Sequence, residues 1–428
     1  MCVEPPYDTD TQSVQPEQKV NWPRVASVSA MVSFSIPTFV TGIELFGALN
    51  WQHAFIAMGI GAVLLTLIGG LMGDIGAATG KNSYMLVQRA FGKRGAAMLN
   101  LLFALSLVGW FGVNLDLFSA SIMQVIGGDN TDPVSATVIE AIAGIAMVGT
   151  TLFGFSMINR LSTWLVPVMV AFGIGLLWLA LGMTPVSALT ESHSHISHTI
   201  SDGVNMIVGV IIIGAIILPD ITRFSHQRRG GVYTAFWSYF IAQSAVLLIA
   251  AYAAVAFGSR DILNIIMAMG LGSWALLIVI AGSWVLNSLN IYSAQLAVSV
   301  NLPAVSANVI SVVLGCLGML AAFFNILDHF ITFLSILTAL FIPVAGIVAL
   351  DVHRIRSQAY SAGARVVNLN LPAVVAWVAG ASYANMSLFY ALPGITEITA
   401  IDALLLATLL YWVGSVIKPT GTAILENN

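Results

Sequence analysis

The sequence predicts an all-α, polytopic membrane protein with about twelve transmembrane helices. Three observations carry that prediction. Of 428 residues, 58% are hydrophobic and 8% charged, where a soluble protein carries roughly 25% charged residues. Mean hydropathy is +0.93, which leaves too few charges to coat one globular surface. Apolar runs of roughly 20 residues, the length that crosses about 30 Å of hydrocarbon, recur along the whole chain. Together these exclude a soluble enzyme, a nucleic-acid binder and a disordered scaffold.

Residues 1–23 are a polar tail holding Glu4, Asp8, Asp10 and Glu17. It lacks the basic and apolar regions of a cleavable signal, so the first span is expected to act as a signal anchor. Twelve candidate spans centre on residues 24–46, 52–75, 96–126, 134–155, 160–182, 203–222, 231–257, 272–300, 304–324, 328–351, 369–390 and 397–417. The nearly unbroken run from 304 to 351 is split where Asn325, Asp328 and His329 cluster. Residues 24–351 are expected to form one core of spans 1–10. Residues 352–417 hold spans 11 and 12, and residues 418–428 form a second tail. Cys2 and Cys316 lie in a polar tail and an apolar run, so no disulfide framework is implied.

Lysine and arginine set the orientation. Lys19 and Arg24 precede span 1. Lys81, Arg89, Lys93 and Arg94 lie between spans 2 and 3, and Arg160 between spans 4 and 5. Arg223, Arg228 and Arg229 follow span 6, Arg354, Arg356 and Arg365 follow span 10, and Lys418 follows span 12. Only Arg260 falls on the other side. This bias predicts a multi-pass protein of the cytoplasmic (inner) membrane with both termini in the cytoplasm. The basic segment 76–95 reads as a short amphipathic helix, without the pattern of a nucleotide-binding loop. His193, His195 and His198 read as polar filler in a loop, and no metal site is expected.

Two spans carry the marks of broken helices. Span 1 holds Ser33, Ser35, Pro37, Thr38, Thr41 and Gly42, and span 6 holds Gly209, Gly214 and Pro219. A mid-span proline frees a backbone carbonyl, and small hydroxyl residues satisfy the groups so released. Spans 1 and 6 open two five-span halves, which points to a five-plus-five inverted repeat with substrate at mid-membrane. Ionisable residues within spans are functional candidates, which singles out Glu44 in span 1 and Asp116 in span 3 as proton-coupling residues. Asp220, with Arg223 three residues on, reads as half of a structural ion pair. Trp110 and Asn114 share a face of span 3, an indole to stack on a flat ring and a carboxamide to meet its edge. Span 8 adds Asn287, Ser288, Asn290, Tyr292, Ser293 and Gln295, enough polar groups to line a cavity.

At these residues the chain resembles the nucleobase:cation symporter-1 family, especially its cytosine permease branch. The stretches GWFGVNLDLFSAS from Gly109, VTGIELFGALNWQHAF from Val40, GDIGAATGKNSYMLVQRAFGKRG from Gly73, LPDITRF from Leu218 and LNIYSAQL from Leu289 carry the resemblance. It implies a twelve-helix, alternating-access permease for cytosine, purines or related small nitrogen heterocycles. Substrate would sit between spans 1, 3, 6 and 8, touching Trp110, Asn114, Ser35, Ile211, Asn287 and Asn290. The chain departs from the cytosine permease pattern in three places. Leu107 stands for a glutamine, Val210 and Ile211 for a serine–phenylalanine pair, and Val285 and Leu286 for two threonines that help hold sodium. A less polar pocket and a proton rather than sodium as coupling cation follow. The expected partners are a small heterocycle, the cation and the lipid bilayer, with no cofactor and no nucleic acid. A channel or membrane enzyme would need a selectivity loop or a nucleophile or metal cluster that the spans do not offer. A transport-inactive sensor or binding protein on the same fold is the alternative reading.

Overall fold

The computed structural model describes residues 14, 19–126, 133–152, 155–188, 198–270, 273–355, 366–390 and 392–417. His193 and His195, Arg356, Arg365 and both distal tails lie outside the described residues. Every named element among the described residues is a helix, and the β-structure there is an isolated bridge between Val20 and Ser225.

Span 1 is two helices, α1 (Trp22–Ser33) and α2 (Ile36–Ala48), bent by 56°. The break falls at Phe34 and Ser35, directly before Pro37, as the proline and hydroxyl pattern predicts. Spans 2 to 5 are α3 (Trp51–Thr79), α4 (Ser83–Ile126), α5 (Pro133–Leu152) and α6 (Phe155–Met183). The amphipathic segment before span 3 runs continuously into α4 and is set off only by Gly92, whose φ of 78° is left-handed. That conformation favours glycine, and it lets the Lys93 and Arg94 amides donate to the carbonyls of Val367 and Asn368.

Span 6 is α7 (Ile200–Ile216) followed, after Ile217 and Leu218, by the single turn α8 (Pro219–Thr222). The interruption therefore lies at Pro219, near the arginine-rich end, and not at Gly209 or Gly214. Gly209 serves packing instead, letting α7 touch the backbone of Leu334 in span 10. Span 7 is α9 (Gly230–Phe257), which contains a π-helical stretch over Phe236–Ala242. A short helix, α10 (Ile262–Ala268), leads to span 8, α11 (Ser273–Ser299). Spans 9 to 12 are α12 (Ala307–Phe323), α13 (Phe330–Leu350), α14 (Leu371–Ser387) and α15 (Thr399–Ile417). The split between spans 9 and 10 is a left-handed Asn325 (φ 52°) and a 3-10 turn, Ile326–His329. Among the described residues, seven helices are long and apolar enough to cross a membrane, or eight when the bent pair α1–α2 is counted as one span.

The helices pack in two layers. Span 2 lies against spans 6 and 7, and the second half of span 1 against span 7. Span 3 lies against spans 8 and 9, with span 4 against span 9. Exchanging the two five-span halves maps the 2–6 pairing onto the 7–1 pairing, the relation that an inverted repeat requires. Spans 11 and 12 pack on each other and on span 10. The face carrying Arg223, Arg228 and Arg229 is termed inner. There the Asp220 carboxylate accepts from the Ser83 amide (2.7 Å) and hydroxyl (2.8 Å), while Arg223 Nε donates to the Asp220 carbonyl (3.2 Å). Also on this face, Val20 pairs with the 224–226 segment, and Lys19 Nζ donates to the Ala77 carbonyl of span 2 at 3.2 Å.

Candidate functional site

The break in span 1 is satisfied from within the protein. Ser33 Oγ donates to the Ser238 carbonyl (2.8 Å), and Thr41 Oγ1 to the Pro37 carbonyl (2.8 Å). Ser35 Oγ and Thr38 Oγ1 share a hydrogen bond of 3.1 Å. All four hydroxyl residues are buried. Facing spans contribute apolar side chains: Val210 and Ile211 of α7 and Leu107 of α4 are buried.

Trp110 and Asn114 stand one turn apart on α4. The indole meets two rings of α13 edge-on, Phe333 with centroids 5.3 Å apart and Phe330 at 6.1 Å. Asn114 Nδ2 donates to the Trp110 carbonyl at 2.8 Å, and its Oδ1 is buried with no hydrogen-bond partner among the described residues. A carbonyl only accepts, so this contact fixes which atom is nitrogen and leaves the oxygen free to receive a donor.

Asn287 of span 8 reaches the same turn of α4: its Nδ2 donates to the Phe111 carbonyl (3.1 Å) and to Met147 Sδ (3.4 Å), and its Oδ1 is buried with no partner among the described residues. Ser288 Oγ donates to the carbonyls of Trp284 (3.0 Å) and Met147 (3.5 Å). Asn290 is half-buried and has no hydrogen-bond partner among the described residues. On another face of α11, Val285 and Leu286 form an apolar cluster with Met31 of α1, flanked by Leu165, Leu289 and Tyr292. The hydroxyl of Ser283 is buried there without a partner.

The two candidate carboxylates belong to different surroundings. Glu44 is half-buried on α2. Asp116 Oδ2 accepts from the Leu327 amide at 3.1 Å, and its Oδ1 is buried with no partner among the described residues. No hydrogen bond joins Glu44 to Asp116 among the described residues. Among the same residues, no group of three or more His, Cys, Asp or Glu is placed to hold a metal ion. The sequence reading missed Phe330 and Phe333. Their signal was an aromatic pair at i, i+3 directly after the Asn325–His329 cluster.

Residues 16–414 match the family model described as a permease for cytosine/purines, uracil, thiamine, allantoin. The chain belongs to this permease family. The cytosine permease of Escherichia coli (strain K12) is 27% identical over 372 residues, covering 86% of each protein, and that of Escherichia coli O157:H7 is similar to the same degree. Among solved structures, the permease is similar to Mhp1, a nucleobase-cation-symport-1 family transporter, in a closed conformation with bromovinylhydantoin bound. That match has a TM-score of 0.77 at 16% identity and covers 96% of this chain and 95% of the other. A Na+-coupled sialic acid symporter in a substrate-bound outward-open state matches with a TM-score of 0.69 at 14% identity, covering 94% and 90%. At these identities the structural matches establish the shared transporter fold. The all-α architecture with interrupted spans 1 and 6 is thus that of a multi-pass membrane permease.

Proposed function

We propose that this permease imports a nucleobase or a related small nitrogen heterocycle across the cytoplasmic membrane by alternating access, with both termini in the cytoplasm and protons as the coupling ion. The observation that carries the substrate class is Trp110 with Asn114: a large aromatic surface and, one turn on, an amide oxygen with no partner among the described residues. Stacking holds a flat ring and the oxygen accepts from a ring N–H or amino group. Ser35 at the break, Asn287 and Asn290 are the further polar candidates, and Ile211 is an apolar one. Val210, Ile211 and Leu107 make the pocket less polar than a cytosine site, so methylated or larger rings compete well with cytosine.

Proton coupling is supported by the chemistry around the Met31–Val285–Leu286 cluster. A hard cation needs several oxygen ligands, and the side chains there offer one aliphatic hydroxyl, that of Ser283. Glu44 and Asp116 each carry a proton when neutral, and intramembrane carboxyl groups are the usual bearers of such coupling. The test is uptake by proteoliposomes of labelled cytosine, adenine, uracil and allantoin. An imposed pH gradient drives uptake of a substrate without sodium, and Glu44→Gln or Asp116→Asn removes that drive while exchange persists. A steep sodium dependence, with both variants still responding to the pH gradient, refutes proton coupling. Tight ligand binding with neither uptake nor exchange favours the transport-inactive sensor instead.

A further inference from the structure

We propose that Phe333 of span 10, with Phe330 beside it, is the second aromatic wall of the substrate site, and that Asp116 is the positioning residue that holds this wall against Trp110. The proposal rests on the reading above, that a flat heterocycle binds at Trp110. A small-molecule site buries most of its ligand's surface. A ring stacked on an indole therefore needs cover on its other face. Span 6 offers only the aliphatic Val210 and Ile211. The rings that do reach Trp110 come from span 10, edge-on at 72° and 78°. Phe330 is buried, whereas Phe333 is half-buried.

The outer end of span 10 is seated along one stripe of α4. Gly109, Gly112 and Asp116 are spaced i, i+3, i+7 and so share a helix face. A Cβ at Gly109 would stand 2.8 Å from the Phe333 ring, and one at Gly112 would stand 2.9 Å from Ala321 Cβ of span 9 and 3.2 Å from Ile326 Cγ2. Glycine at both positions gives α4 a flat face for these neighbours. At the third position, Asp116 Oδ2 accepts the Leu327 amide, in the turn between the left-handed Asn325 and the start of α13. The first N–H groups of a helical segment have no partner within it and need an outside acceptor. Asp116 supplies one and so fixes the turn from which Phe330 and Phe333 project.

The experiment measures binding of cytosine, adenine, uracil and hydantoin to purified wild type and variants, by thermal shift and by competition. For the ring that wild type binds best, Phe333→Leu weakens binding about three- to tenfold, the worth of one aromatic contact, and Phe333→Tyr restores it. Asp116→Ala weakens the same binding. In the Phe333→Leu background it adds less than it does alone, because the two act through one wall. Independent structural damage would instead add in full. Should Phe333→Leu unfold, Phe333→Met is measured in its place. Wild-type binding that survives loss of the Phe333 ring, or fully additive effects of the two substitutions, overturns the proposal while leaving the reading at Trp110 intact. A wild type that binds no ring in the panel overturns both.

Discussion

Gly209→Ala tests whether span 6 lies directly on the backbone of span 10. A Cβ at Gly209 would meet the carbonyl carbon of Leu334 at 2.6 Å and its Cα at 2.8 Å, with the carbonyl oxygen nearer still. Ordinary contact begins at 3.4 Å, so the two backbones must part by more than about 0.8 Å, and backbone cannot turn aside as a side chain does. Overpacking of this kind costs about 1–3 kcal/mol, against a helix-propensity gain of about 1 kcal/mol for replacing glycine. Gly175 in span 5 supplies the control, because a Cβ there meets nothing within 4 Å. Gly175→Ala keeps the propensity gain and suffers no clash. The two variants therefore differ by about 1–3 kcal/mol. At about 2 °C per kcal/mol, the unfolding midpoint of Gly209→Ala in detergent falls about 2–6 °C below that of Gly175→Ala. Equal midpoints would refute the close approach of spans 6 and 10. Leu334 follows Phe333 directly, so the displacement also weakens ring binding in Gly209→Ala, whereas Gly175→Ala binds as wild type does.

Trp110→Ala weakens binding of the identified ring at least tenfold, since stacking and the neighbouring hydrogen bond are each worth about 1 kcal/mol or more. Trp110→Phe, which keeps a ring against Phe330 and Phe333, loses less; unchanged binding in competition assays with the alanine variant would place the substrate elsewhere. Asn370 is fully buried, and its Nδ2 donates to the Ala90 carbonyl (2.6 Å) and to the Tyr411 hydroxyl (3.2 Å). Asn370→Ala leaves those acceptors short of a donor and costs about 1–3 kcal/mol, read as a lower thermal midpoint with substrate affinity unchanged.

The fold was legible where one residue forces a local outcome. Pro37 cannot continue a helix ladder, and the hydroxyls around it mark where the backbone needs partners, so the break in span 1 falls where composition puts it. Asn325, Asp328 and His329 likewise mark the only polar interruption between spans 9 and 10. Gly92 was harder to read, because a glycine in an apolar stretch is as often a close-packing residue as a kink. In span 6 the same ambiguity put weight on Gly209, which serves packing, and on Gly214, where a Cβ would meet only ordinary contacts, while the interruption sits at Pro219. Within the site, helical spacing correctly put Trp110 and Asn114 on one face. It could not say which neighbour a face meets. Asn287 turns towards Phe111 and Met147, and Trp110 meets Phe330 and Phe333, more than 200 positions away in the chain. Such pairings depend on how whole helices are arranged, which no local pattern encodes.

The bridge between Val20 and Ser225 bears on how motion in this protein is best observed. Residues 19–22 are fastened to Ala77 of span 2 and to the 224–227 segment after span 6, and Trp22 stacks obliquely on Tyr233 of span 7. Every anchor belongs to the same layer of helices. Any displacement between the two layers carries this strap along with spans 2, 6 and 7. A spin label at Asn21 is therefore a stationary reference for a second label at Tyr233. Paired with a label at Ser306, at the start of span 9, it becomes a ruler between the layers, read without touching a residue of the transport pathway.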